Sequence, residues 1–314
     1  MTWSNPSPLL ECKTVIRVLA ESAKGTKIAT TQYLFVSNLK HDADAPFIER
    51  PGTGQFRGHE AKGAIGARAG KVSFDCELRG TGSGGCEAGL AVLLQACGLV
   101  ATSAVIYNMH STHANDKTIS IDVFEDGINK GLAGASGTWK LGADAGGRVV
   151  FKFEFKGVWQ TVADVALPAE TPSVLLPLMF QGGTFTIATN AIKIGKFELD
   201  INADVQPRED GAAASGIAYF MTPQVQPLLT IDPEAHLVAN YDFHGIWLAG
   251  TEAVISIVLK NATDQLTIAI PQFQIRTING GVRTGKRIND IVGQCNSSLS
   301  PGNDGVTLTF AAAA

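Results

Sequence analysis

The stretch that decides the fold is VSFDCELRGTGSGGCEAGLAVLLQACG, Val72 to Gly98. An alternating segment leads through a glycine-rich turn into an amphipathic one, and Gly80, Gly82 and Gly85 carry the G-x-G-x-x-G spacing of a dinucleotide-binding turn. In that motif the preceding strand is central in a parallel sheet covered on both faces, so it reads as a continuous apolar run. Here Val72, Phe74, Cys76 and Leu78 alternate with Ser73, Asp75, Glu77 and Arg79, the pattern of an antiparallel strand with one face on a core. The acidic residue expected about 20 positions beyond the glycines, which would hold a ribose hydroxyl, is also missing. The chain runs from Leu99 to Tyr107 and through NMHSTHAND with no carboxylate before Asp116. No Gly-Lys-Ser/Thr follows that could make a phosphate-gripping loop. The turn therefore reads as a glycine connection into a helix, with no cofactor bound.

Working outward, period-2 segments recur at Thr31–Val36, Thr118–Phe124, Val149–Lys156, Thr184–Ala188, Lys196–Asn202, Val254–Lys260, Gln265–Ile270, Gln272–Thr277 and Val306–Phe310. The clearest is Phe151, Phe153 and Phe155 on one face against Lys152, Glu154 and Lys156 on the other. One convincing helix stands at Glu87–Cys97, where Leu90, Leu93, Leu94 and Cys97 share a face and Gly98 occupies the stop position. The expected class is mainly β (α+β), with antiparallel sheets packed as a sandwich or barrel and a single helix evident in the first half.

The 314 residues suffice for two domains or one large β domain. Pro168, Pro172 and Pro177 punctuate VALPAETPSVLLPL, which places a boundary between residues 1–167 and 168–314. The two halves present their parts in a loosely similar order, as a diverged duplication would, although no counterpart of the first helix is evident in the second half. Asn38 to Gly70 matches no regular element. A long structureless segment in a compact domain is usually functional, and this one, with charges of both signs and six glycines from Gly52 onward, reads as an arm awaiting a neighbour. Its candidate contact residues are Phe47, Arg50, Phe56, Arg57, His59 and Arg68.

Lys and Arg number 25 against 29 Asp and Glu, a formal charge of −4, and no basic run exceeds two residues, which disfavours a grip on a phosphate backbone. No signal peptide is legible at the N-terminus and no apolar run approaches a membrane span, so synthesis in the cytoplasm without membrane association is expected. Five cysteines lack C-x-x-C spacing and read as reduced thiols.

Candidate chemistry is sparse. His110, His113 and Asp116 could begin a metal site but lack evident further ligands, and a hydrated loop reads better. Asp122, Glu125 and Asp126 lack ion-loop spacing and read as a polar turn. No nucleophile elbow or H-E-x-x-H pair occurs, so no enzyme is indicated: no catalytic residues, no metal and no cofactor. Trp3, Trp139, Trp159 and Trp247 could serve as sugar platforms but read better as core or interface anchors.

Two further stretches complete the pattern: KTISIDVFEDGINKGLAGASGTWKLGADAGGRVVFKFEFKG after the helix, and IGKFELDINADVQPREDGAAASGIAYFMTPQ, Ile194 to Gln224. Together with the opening stretch they resemble the tail tube proteins of long-tailed bacteriophages. The likeness lies in the Arg79-Gly80 turn, a helix with Leu90 and Leu94 that ends at Ala96 to Gly98, the Gly134, Gly137, Trp139 unit, and the Phe153 strand closing on Gly157. The resemblance implies a structural virion protein of two tandem tail-tube-like domains. Its copies would form stacked rings, trimeric with pseudo-sixfold symmetry, around a channel for genome delivery. Implied partners are other copies, other tail proteins at the tube ends, and a tape-measure protein and DNA passing through the lumen without tight binding. The alternative is a carbohydrate-binding or adhesive β-sandwich of a baseplate or tail tip.

Overall fold

The computed structural model describes residues 8–10, 12–52, 54, 61–298 and 302–313. Strands make up 57% and helices 6% of it, with antiparallel pairing throughout, which fixes the class as mainly β. The first half contains β1 (Thr14–Ala20), β2 (Gln32–Leu34), β3 (Val36–Asp44), β4 (Phe47–Ile48), β5 (Ala64–Ile65), β6 (Ala69–Glu77) and α1 (Ala88–Ala96). It continues with β7 (Leu99–Ser103), β8 (Ile106–Met109), β9 (Ile119–Glu125), β10 (Ile128–Asp144), β11 (Val150–Trp159) and β12 (Ala163–Asp164). The second half contains β13 (Met179–Ile187), β14 (Asn190–Ala191), β15 (Ile194–Asp200), β16 (Ala203–Glu209), β17 (Ile217–Val225) and β18 (Leu228–Pro233). After these come α2 (Phe243–Ala249), β19 (Glu252–Lys260), β20 (Asp264–Arg283), β21 (Lys286–Asn296) and β22 (Thr307–Ala312).

Hydrogen-bonded neighbours in the first half run β3, β6, β11, β10, β9, β1, β2. In the second they run β15, β18, β21, β20, β19, β13, β14. Replacing each strand of the first series by its counterpart in the second preserves both the spatial order and the chain order. The helices fit the same scheme: α1 follows β6 and α2 follows β18. So do two small hairpins, β4–β5 after β3 and β16–β17 after β15. The fold is one topology used twice.

Side-chain alternation explains the core. Val72, Phe74, Cys76 and Leu78 are buried on β6 and its continuation, as are Phe151, Phe153 and Phe155 on β11, and the rings of Phe74, Phe153 and Phe155 lie within about 6 Å of one another. In the second unit Ile255, Ile257 and Leu259 on β19 face Leu266, Ile268 and Ile270 on β20. Helix α1 packs Leu90, Leu93 and Leu94 inward across β1, β2, β9 and β10. Its counterpart α2 sets Phe243 and Ile246 beside Ile187, Phe273 and Ile291.

α2 corrects the expectation of a single helix. Asp242 caps it by accepting from the Gly245 backbone N–H at 2.8 Å, and Gly250 ends it in the left-handed region. The segment Asn38–Gly70 also differs from expectation. Residues up to Asp44 belong to β3, paired with β6, β6 already begins at Ala69, and between them Phe47–Ile48 pairs with Ala64–Ile65 as a small hairpin. The two strands read separately at Gln265–Ile270 and Gln272–Thr277 are one strand, β20, which accommodates Pro271 and a bulge between Ile275 and Thr277.

Two strand pairings join the units. The far half of β10, Lys140–Asp144, pairs with β15 of the second unit (Asp200–Lys196). Strand β22 returns from the second unit to pair with both β20 and β8. The buried carboxylate of Glu21 supports β10 from behind by accepting from the N–H groups of Gly25 (2.8 Å) and Gly134 (2.7 Å) and the hydroxyls of Thr118 and Ser120. Gly134 sits at a positive φ in the β10 bulge, where a side chain would strike the backbone of Gly25 and Tyr219.

Candidate functional site

The glycine turn that opened the sequence question already holds an anion, and the anion is the protein's own. Asp264, at the start of β20 and 1% exposed, accepts from Gly82 N–H (3.0 and 3.1 Å to its two oxygens) and Gly84 N–H (2.9 Å). The Thr263 hydroxyl donates to the same carboxylate at 2.9 Å. Successive backbone N–H groups in such a turn form a concave anion receptor. A Cβ at Gly80 would lie 2.3 Å from the Asp264 carboxyl carbon, so glycine there permits the close approach. The turn thus fastens the first unit to the second, and the Gly82 and Gly84 N–H groups are spent on Asp264.

The other chemical candidates resolve in the same way. Asp122 is buried and bound by Thr30 Oγ1 (2.7 Å), Asn129 Nδ2 (3.0 Å) and Lys27 Nζ (2.7 Å). Glu125 pairs with Lys130. Asp126 accepts from Leu10 N–H and pairs with Lys13, contacts that draw its carboxyl below the usual range. His113 Nδ1 stands 3.1 Å from Asp116, which also faces His110 at 3.5 Å. Among the described residues no group of three or more His, Cys, Asp or Glu is placed to hold a metal ion.

Trp139 is fully buried and cannot be a sugar platform. Trp159 stacks on His41 at 4.7 Å, and burial pushes that imidazole down to about 4. Trp247, partly exposed, donates its indole N–H to the Arg276 carbonyl at 3.1 Å.

Burial likewise silences the thiols. It pushes Cys76, Cys86 and Cys295 up to about 12 and raises Cys97 well above the ordinary thiol value, whereas Cys12 is exposed. At pH 8 a thiol of pKa near 12 is thiolate in roughly one part in ten thousand, and only thiolate attacks. Titrating the intact protein with a chromogenic disulfide reagent at pH 8 is expected to release one equivalent rapidly, from Cys12, and five after denaturation. Rapid release of a second equivalent would show one of the four to be accessible.

The residues that carried the resemblance are structural. Arg79, 3% exposed, pairs with Glu87 at 3.4 Å and lies over the Phe35 ring. Leu90, Leu94 and Phe153 are core, Gly98 has the positive φ that ends α1, and a Cβ at Gly137 would meet the Phe155 ring at 2.5 Å. Of the arm residues, Phe47 is 64% exposed and Arg50 is exposed, while Arg68 donates to the Ala214 carbonyl of the same chain at 2.9 Å. Phe56, Arg57 and His59 lie outside the described residues.

What remains unpartnered is backbone. Strand β3 pairs only with β6, and β20 beyond Arg276 pairs only with β21, among the described residues. The chain matches no known protein family and no curated protein sequence. Sequence reasoning did not find these two strand margins: β3 reads as polar loop, and β20 looks like two short strands. The signal that could have located them is the repeat itself, since aligning the two units leaves β3 without the cover that β15 has.

Proposed function

We propose that this protein is a structural subunit that assembles with copies of itself into stacked rings enclosing a channel, as the major tail tube protein of a long-tailed phage. One observation carries the reading: the chain contains the same unit twice, joined by strand pairing, and among the described residues nothing pairs with the outer edge of β3 or with the far half of β20 on the side away from β21. Open strand edges invite further pairing, and head-to-tail repetition of one joint generates rings or filaments. With two units per chain, three chains would supply six equivalent positions. The exposed apolar side chains of the arm, Phe47, Ile48 and Ile65, suit contact with a neighbouring copy better than contact with water. The net negative charge suits a lumen through which DNA slides without being held. In this reading the protein is made in the bacterial cytoplasm and resides in the virion tail. It meets the tape-measure protein and DNA in the lumen and other tail proteins at the tube ends.

Negative-stain electron microscopy of the concentrated protein is expected to show rings or tubes with a central hole. Particles that stay monomeric at millimolar concentration would overturn the assignment.

A further inference from the structure

The internal repeat identifies which edges join two copies, and in what register. Within the chain, the outer edge of β15 is covered by the far half of β10, with Lys140 opposite Asp200, Leu141 opposite Leu199, Gly142 opposite Glu198 and Ala143 opposite Phe197. The counterpart of β15 is β3, whose outer edge has no strand partner among the described residues. The counterpart of β10 is β20, whose far half, Thr277–Arg283, has no strand partner among the described residues on the side where β19 has already ended and the Trp247 indole donates to the Arg276 carbonyl.

The structural equivalence can be set residue by residue. Cys76 and Ile231 each stand twelve positions before the first residue of their helix. Cys76 pairs with Phe151, which lies next along β11 to the Val150 partner of Gly142 and so opposite Leu141; Ile231 pairs with Ile291, which pairs with Ile278. Leu141 therefore corresponds to Ile278. On the other side Cys76 pairs with Val36 and Ile231 with Phe197, so Phe197 corresponds to Val36. β3 carries an extra residue at Asn38, which adopts a positive φ, and this places Leu39 where Leu199 stands.

We infer that the far half of β20 in one copy pairs antiparallel with the outer edge of β3 in the next, with Gly280 opposite Val36, Asn279 opposite Ser37, Ile278 opposite Leu39 and Thr277 opposite Lys40. This deepens the assembly reading above and rests on it. Burial supports the match. Leu141 and Leu199 are both 0% exposed where their joint is made, whereas Ile278 and Leu39 are only partly covered. A groove of about 730 Å³ runs beside β3, lined by Ile16, Tyr33, Phe35, Val36 and Leu39. The two edges are different surfaces, so the contact is heterologous and propagates.

The arm takes its place in the same joint. Hairpin β16–β17 follows β15 and lies over β10 and β11, where Val205, Ile217 and Phe220 cluster with Val158 and the Ser136 hydroxyl donates to the Phe220 carbonyl. Hairpin β4–β5 follows β3 and in the assembly lies over β20 and β21 of the adjoining copy, where Val282 is 72% exposed.

The test uses the full chain with Cys12→Ser as background, carrying Ser37→Cys in one preparation and Asn279→Cys in another. Both positions are exposed, so neither change disturbs the fold. Directly opposed strand residues bring Cα atoms about 4.5–5.5 Å apart, within disulfide reach. Mild oxidation of the mixture is expected to give a disulfide-linked dimer at least tenfold more abundant than in either preparation alone. Replacing Ser37→Cys by Asp44→Cys, out of register, should reduce that yield to the level of the single variants. If rings form but the mixture does not cross-link, or links equally well out of register, the edge assignment is overturned while the assembly reading stands. If neither rings nor cross-links form, both fall.

Discussion

Replacing Trp139 with alanine is expected to lower the unfolding free energy by about 3–5 kcal/mol, the range for deleting a large aromatic from a core. The indole is fully buried and meets the Phe151 ring edge-on at 5.3 Å, in the middle of the strand that both units share. Its N–H has no hydrogen-bond partner among the described residues, so the cost is packing and cavity rather than a broken polar contact. Trp139→Phe should accordingly cost less than half as much, because the edge-on contact survives. Since 1 kcal/mol corresponds to about 2–4 °C for domains of 150–250 residues, the alanine variant should melt roughly 10 °C below the parent. Urea titration of the two variants beside the parent measures both. A loss under 1 kcal/mol for alanine would mean the ring is not packed as described. The same strand carries the joint between units, with Ile201 N–H bonded to the Trp139 carbonyl at 3.1 Å, so the alanine variant should also loosen the pairing of β10 with β15.

How much of this was legible beforehand differs by element, for physical reasons. β6, β11 and β19 announce themselves because one face meets the core and the other does not, and strict alternation follows. β10 does not, although it is the centre of the first unit. Its Gly131–Gly137 stretch is covered on both faces, by the core on one side and by hairpin β16–β17 on the other, and its glycines leave room for Phe155 and Tyr219. GLAGASG therefore reads as a connection. β3 fails for the opposite reason: its SNLKHDAD sequence is polar on both sides of the pleat because the strand lies at a sheet margin. α2 spans two turns with a glycine inside it, too little for a periodic signal. The duplication was visible only as a loose parallel of parts, because what repeats is strand order and pairing, which a sequence does not display. The occupant of the glycine turn was beyond reach in principle, since Asp264 lies some 180 positions from it.

That contact yields the second large effect. Asp264→Ala is expected to cost about 2–4 kcal/mol, because the N–H groups of Gly82 and Gly84 lose a charged acceptor in a place where water cannot fully replace it. Asp264→Asn should cost about half as much, since an amide oxygen keeps one acceptor while its NH₂ is turned toward donors. Gly84 has no means of relaxing toward other partners: it holds a positive φ, and its Cα lies so close to β22 that a Cβ would come within 2.1 Å of the Ala312 nitrogen. Loosening the turn therefore loosens β22 and with it the bridge from β20 to β8. Hydrogen exchange should report this as faster exchange in residues 80–86 and 307–312 of the alanine variant, with the β6–β11 ladder unchanged. In the parent protein, NAD or ATP at millimolar concentration is expected to leave the melting temperature unmoved, because the donors such a ligand would need are already engaged. A nucleotide-induced shift in the parent, or an alanine variant as stable as the parent, would return the turn to the role its spacing first suggests.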